Sequence, residues 1–232
     1  DAEVVLKQAC RSCEHSLPLL LALTDLRESR GVDLEAISGV LNEYIGSTES
    51  SMNSLKVAII EECRGPGDDE EEAIFDRALV ERTPEGPVQK YLKLQGAFNG
   101  AQVRLLELSR RLSGLGAARS VFATARKSVH VSSKVFSAAA MLEFRIRKDP
   151  SICAKIYELA LNRFPTDWPL ALEYLKFLLS QNDDGNIRSL FERIVASVEG
   201  FRSTHSRETI ELNESGSILK DIWLAFLEFE GQ

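Results

Sequence analysis

The first residues in this 232-residue chain that could do chemistry are Cys10-Arg11-Ser12-Cys13, with His15 two positions on. Paired thiols at this spacing serve either a structural zinc or a redox couple. A structural zinc needs four converging ligands, usually supplied by a second close pair, and Cys63 and Cys153 each stand alone. The expectation is therefore packed, inert thiols and no metal. His15, His130 and His205 are the only histidines, and none adjoins a serine, cysteine or carboxylate in a nucleophile pattern. Gly114-Leu115-Gly116 has neither the lysine nor the spacing of a phosphate loop and reads as a turn between helices. Glu61-Glu62 carries no supporting pocket signal. The sequence thus predicts a protein that is no enzyme, with no catalytic residues, cofactor or small-molecule substrate.

Charge offers two further candidates. Asp68-Asp69-Glu70-Glu71-Glu72 could dock a basic partner, but carboxylates at the start of a helix over 73–81 also complement its dipole, and this second reading is preferred. The net charge of −7 conceals a division: −9 over residues 1–100, +8 over 101–148 and −6 over 149–232. Arg110, Arg111, Arg126 and Lys127 in the basic middle are candidates for a contact face toward an acidic protein or RNA phosphates. No set of exposed aromatics accompanies them to stack bases, so a protein contact is favoured over direct RNA binding. Four scattered cysteines suit a reducing compartment. The apolar run 17–23 is too short to span a bilayer and no secretory signal opens the chain, so no membrane partner is expected.

Helices must position all of this. Strand-type alternation is nearly absent, whereas apolar residues recur at helical spacing, as at Ile152, Ile156, Leu159 and Phe164. Asp149-Pro150 and Asp167 before Trp168-Pro169 read as helix starts, and Asp183-Asp184-Gly185-Asn186 as a stop and restart. Bulky residues at the centres of candidate second helices are Leu6, Leu41, Phe75, Phe122, Tyr157 and Phe191, separated by 35, 34, 47, 35 and 34 residues. Three positions after them come Ala9, Tyr44, Ala78, Ala125, Ala160 and Ile194; the small ones let a neighbouring helix approach. A period near 34 is that of paired-helix solenoids. The fold class predicted is all-α: a right-handed α-solenoid of antiparallel helix pairs, about five repeats plus half-repeats at the ends. One long interval calls for a longer connection or an extended helix near 86–100.

The chain is expected to form one solenoid over 1–232. Repeats match weakly over 1–100 and clearly over 101–198. A flexible insertion over 199–217 precedes the first helix of a further repeat over 218–232. That last helix should carry an unpartnered apolar face, so Ile222, Trp223, Phe226 and Phe229 are the interface candidates, to be covered by another chain or by further repeats.

The second helices over 117–126 and 186–194, and the first helix over 222–230 (Ile-Trp-Leu-Ala-Phe-Leu-Glu-Phe-Glu), resemble the HAT (half-a-TPR) repeat of RNA-processing proteins. The ordinary TPR fits less well, because its small first-helix residue would fall near Met141 or Tyr174. Residues 103–230 resemble the later repeats of the HAT family that supplies the scaffold of cleavage stimulation factor, closest over 134–149, 154–164 and 179–194. That resemblance implies a non-enzymatic nuclear scaffold in pre-mRNA 3′-end cleavage and polyadenylation, with homodimerisation and contacts to other subunits of that machinery. The alternatives are a HAT scaffold of a splicing or pre-rRNA processing complex, and direct RNA binding through 101–148.

Overall fold

The computed structural model describes residues 2–13, 15–65, 70–81, 86–204 and 215–231. Among the described residues there are ten helices and no strand. In chain order they are α1 (Ala2–Ser12), α2 (Leu17–Ser29), α3 (Leu34–Cys63), α4 (Glu71–Glu81), α5 (Pro87–Ala125), α6 (Ser133–Arg147), α7 (Pro150–Arg163), α8 (Trp168–Gln181), α9 (Asp184–Thr204) and α10 (Ser215–Glu230). Within the units, α1 packs on α2, α2 on α3, α3 on α4, α7 on α8 and α8 on α9, which is consistent with an α-solenoid. The chain divides into two compact units, Asp1–Val135 and Phe136–Gln232.

In the first unit α3 and α5 form the main contact, and their sequences show why. Tyr91, Leu94, Phe98, Ala101, Leu105 and Leu108 recur at alternating spacings of three and four, which places them on one stripe of α5. Ile37, Leu41, Ile45, Met52 and Ile59 form the matching stripe of α3, and the two stripes make one core. The surplus repeat interval near residue 100 lies inside α5, which is an extended helix rather than a long loop. Gly114 interrupts α5 at φ 80° and ψ −171°, a conformation essentially reserved for glycine, so the expected turn is a sharp break within one long element. Gly100 marks the closest approach of α2: a Cβ there would lie 2.4 Å from Cδ2 of Leu17.

In the second unit the repeat shows in direct contacts between equivalent residues. Phe144 and Phe177, which occupy matching positions of α6 and α8, meet edge to face with centroids 5.2 Å apart. Tyr157 stacks on Tyr174 at 5.0 Å, and Phe136 packs on Phe164 at 5.7 Å. Of the bulky repeat residues, Leu41, Phe75, Tyr157 and Phe191 are buried, whereas Leu6 and Phe122 are half-buried. The expected caps form: Asp149 accepts from the Ser151 amide at 2.9 Å and Asp167 from the Leu170 amide at 3.0 Å. Asn182 in the left-handed region closes α8, and Asp183 accepts from the Asn186 amide at 3.3 Å at the start of α9. The flexible insertion expected over 199–217 is helical at both of its ends, since α9 continues to Thr204 and α10 begins at Ser215. Continued 3.6-residue apolar spacing through Ile194 and Val198 carries α9 onward. Residues 205–214, with His205, lie outside the described residues.

Candidate functional site

The CxxC motif sits at the end of α1. Cys10 is half-buried and Cys13 exposed, and both line a cleft of about 360 Å³ with His15, Ser16, Leu20, Tyr44, Ser47 and Ser51. Burial, and then the neighbouring Cys13, raise the Cys10 thiol above its ordinary pKa, the opposite of what an activated thiolate needs. No group of three or more metal-ligating side chains comes together among the described residues. His15 stands in the left-handed region at φ 61°. Its Nδ1 lies 3.0 Å from the Thr48 hydroxyl and its Nε2 3.1 Å from that of Ser51, while its carbonyl accepts from the Tyr44 hydroxyl at 2.6 Å. The Ser51–His15 pair has a nucleophile-and-base look that linear spacing did not reveal. However, the Ser51 hydroxyl donates to the Ser47 carbonyl, and the far ring nitrogen meets a hydroxyl instead of a carboxylate. The ring therefore works as a staple between the α1–α2 turn and α3.

His130 does the same from the turn after α5, and it is fully buried. Its Nε2–H donates to Asn53 Oδ1 at 2.8 Å and its Nδ1 accepts from the Tyr91 hydroxyl at 2.9 Å. Gln95 and Asn99 both donate to its carbonyl at 3.3 Å. Burial lowers the His130 pKa, favouring the neutral ring, and pushes the Tyr91 hydroxyl up to about 12.

The acidic run is engaged within the fold. Glu71 and Glu72 open α4, where Glu72 pairs with Lys56 at 2.6 Å and Glu71 with Arg64 at 3.0 Å. Asp68 and Asp69 lie outside the described residues. The basic middle is partly engaged too. Arg111 pairs with Glu28, and Arg104 pairs with both Asp25 at 2.6 Å and Glu28 at 3.1 Å, tying α5 to α2. The Arg111 hydrogen bond holds the Glu28 carboxyl below its usual range. Arg111 therefore ties α5 to an acid 83 positions earlier in the chain while its side chain stays partly exposed. Arg110 is half-buried, and Arg126 and Lys127 are exposed just beyond α5.

On α10 the four interface candidates separate into two groups. Ile222 is 1% exposed and belongs to the core. Phe226 stacks face to face on Phe191 with centroids 3.7 Å apart, and Trp223 meets the same ring edge-on at 4.7 Å. Phe229 is half-buried beneath the Arg188 guanidinium, which pairs with Glu230 at 3.2 Å. The residues that reach solvent are Trp223 at 48%, Leu224 at 47% and Leu227 at 61%. At 100° per residue Ile222, Phe226 and Phe229 form one arc, and Trp223, Leu227 and Leu224 continue it around the helix. Leu224 and Leu227 were missed because the sequence pattern marks α10 as broadly apolar but does not say which side α8 and α9 cover.

Stacked helices with apolar repeat cores, stapled by His15 and the buried His130 and leaving one helix apolar on two sides, define an all-α protein of the helical-repeat class. The chain belongs to the suppressor of forked (Suf) family, whose family model matches residues 1–232. It is 28% identical over 228 residues to the mRNA 3′-end-processing protein RNA14 of Cryptococcus neoformans, covering 86% of this chain and 21% of that protein. Protein suppressor of forked of Drosophila melanogaster is 36% identical over 128 residues, covering 55% of this chain and 15% of that protein. Cleavage stimulation factor subunit 77 of Arabidopsis thaliana is 33% identical over 151 residues, 62% of this chain and 18% of that protein. The chain thus spans about a fifth of the length of these relatives.

Proposed function

We propose that this chain is a non-enzymatic, self-associating scaffold that acts in the nucleus in mRNA 3′-end processing, the process that the name of its relative RNA14 states for that protein. The observation that carries the self-association is the apolar arc of α10. Its inner side is filled by α8 and α9, yet Trp223, Leu224 and Leu227 continue the arc into solvent. Apolar side chains adjoining a packed face on one helix are what a protein partner covers. A second copy supplies the same face, and a two-fold pairing makes the surface self-complementary. Other subunits of the same machinery are the remaining partners in this reading. Sedimentation velocity on the chain, alone and with Leu224→Asp and Leu227→Asp together, tests it. The expected result is a concentration-dependent dimer that the double variant abolishes; a monomer at high concentration refutes it.

A further inference from the structure

We propose that the groove between α3 and the first turns of α5 docks a short acidic peptide that carries interspersed aliphatic side chains. The groove lies in the first unit, so the proposal is independent of α10. It is an open cleft of about 740 Å³, room for a few side chains of a partner. Leu55 of α3 and Leu94 of α5 form its apolar floor. Lys90 and Lys93 stand on one rim, a spacing of three that puts both ammonium groups on the same side of α5. Ser51 and Ser54 stand on the other, and His15 closes one end.

Charge decides the chemistry of the occupant. Residues 1–100 carry a net charge of −9, so attraction for an acidic segment must come from the local lysine pair alone, the nearby cations Lys56 and Arg64 being taken by Glu72 and Glu71. Lys90 and Lys93 have no carboxylate partner among the described residues, although two like charges one turn apart repel. An incoming carboxylate relieves that repulsion. The Ser54 hydroxyl donates to the Ser50 backbone carbonyl, so it presents lone pairs to the groove, suited to accept a peptide N–H, whereas the Ser51 hydroxyl, which donates to the Ser47 carbonyl, is also engaged by His15 Nε2. Aliphatic side chains of the peptide would cover Leu55 and Leu94. Single-stranded RNA is the poorer fit, because no aromatic side chain lines the groove to stack a base and the acceptor rim repels phosphate.

The test uses a fluorescein-labelled peptide of alternating glutamate and leucine, titrated with the full chain and followed by anisotropy, with a lysine-for-glutamate peptide and a uridine-rich RNA oligonucleotide as comparisons. The acidic peptide should bind saturably with Kd on the order of 10–100 µM and weaken with added salt. Neither comparison should bind. Lys90→Glu with Lys93→Glu should weaken binding at least about tenfold, and Ser54→Trp, which fills the groove without changing charge, should do the same. Amide chemical-shift changes in the unaltered chain, a readout that needs no variant to fold, should centre on residues 51–55 and 90–94. Absence of saturable binding at millimolar peptide, shifts centred elsewhere, or capture of the RNA in preference to the peptide would each overturn the proposal.

Discussion

The imidazole Nε2 of His130 stands 2.8 Å from the side-chain oxygen of Asn53, 77 residues earlier in the chain. That single bond, with the Tyr91 hydroxyl on the opposite nitrogen, locks the turn after α5 onto both helices of the first unit's core. Because both nitrogens are engaged in complementary roles, the buried ring is satisfied only when neutral.

Acid should therefore weaken the fold through His130. Its folded pKa is depressed by burial, so the unfolded chain binds the proton more readily. The contribution is complete above the unfolded value of about 6.5 and is lost progressively as pH falls from there through the lower folded value. Urea denaturation at pH 7.5 and pH 5.5 should show a loss of stability that His130→Gln reduces. An identical pH dependence in the variant would contradict this. His130→Ala should cost about 1–3 kcal/mol at pH 7.5, since Tyr91 and Asn53 each lose a partner.

Glu28 and Arg111 should couple weakly. Both side chains are partly exposed, so solvent screens the pair, and a double-mutant cycle is expected to give about 0.2–1 kcal/mol at low salt and less at high salt. A cycle energy that is unchanged by salt would argue against a charge interaction. The lowered Glu28 pKa adds stability above the ordinary carboxylate range that disappears as pH falls through the folded value.

Gly114→Ala should destabilise the chain by about 1–3 kcal/mol. The cost is backbone strain at φ 80°, because open space surrounds the position and no Cβ clash arises. Gly116→Ala, at a position with equal space and no positive φ, is the control and should be neutral or slightly stabilising. Thermal melts of both variants check the contrast.

On α10 stability and association should separate. Phe226→Ala removes the ring stacked on Phe191 and should cost about 2 kcal/mol of stability. Leu227→Asp, at a position 61% exposed, should leave stability within about 0.5 kcal/mol while weakening self-association. Chemical denaturation paired with sedimentation distinguishes the two, and equal stability losses would show that Leu227 packs within the fold.

Thiol reactivity should follow exposure. Burial pushes the Cys153 thiol up to about 12, and the side chain is fully enclosed, so alkylation at pH 8 should spare it in the native state. Exposed Cys13 should react first, with mass spectrometry of the digested protein as the readout. Early labelling of Cys153 would mean that the second unit opens readily.

The sequence by itself determined the helices and much of their packing. Spacings of three and four at Tyr91, Leu94, Phe98 and Ala101 specify a buried stripe, because only residues on one side of a helix can share a core. The caps at Asp149 and Asp167, and the break at Gly114, were likewise legible, since each depends on a few consecutive residues. Period likewise picked out Leu41, Phe75, Tyr157 and Phe191, all of which are buried. Tertiary structure alone decided the polar pairings. Arg111 finds Glu28, His130 finds Asn53 and His15 finds Ser51 across 36 to 83 residues, and no local pattern marks such partners. It also decided which side of α10 faces solvent. A helix apolar around much of its circumference has no preferred inward side until its neighbours occupy one, and here α8 and α9 take Ile222 and Phe226 and leave Leu224 and Leu227 outside.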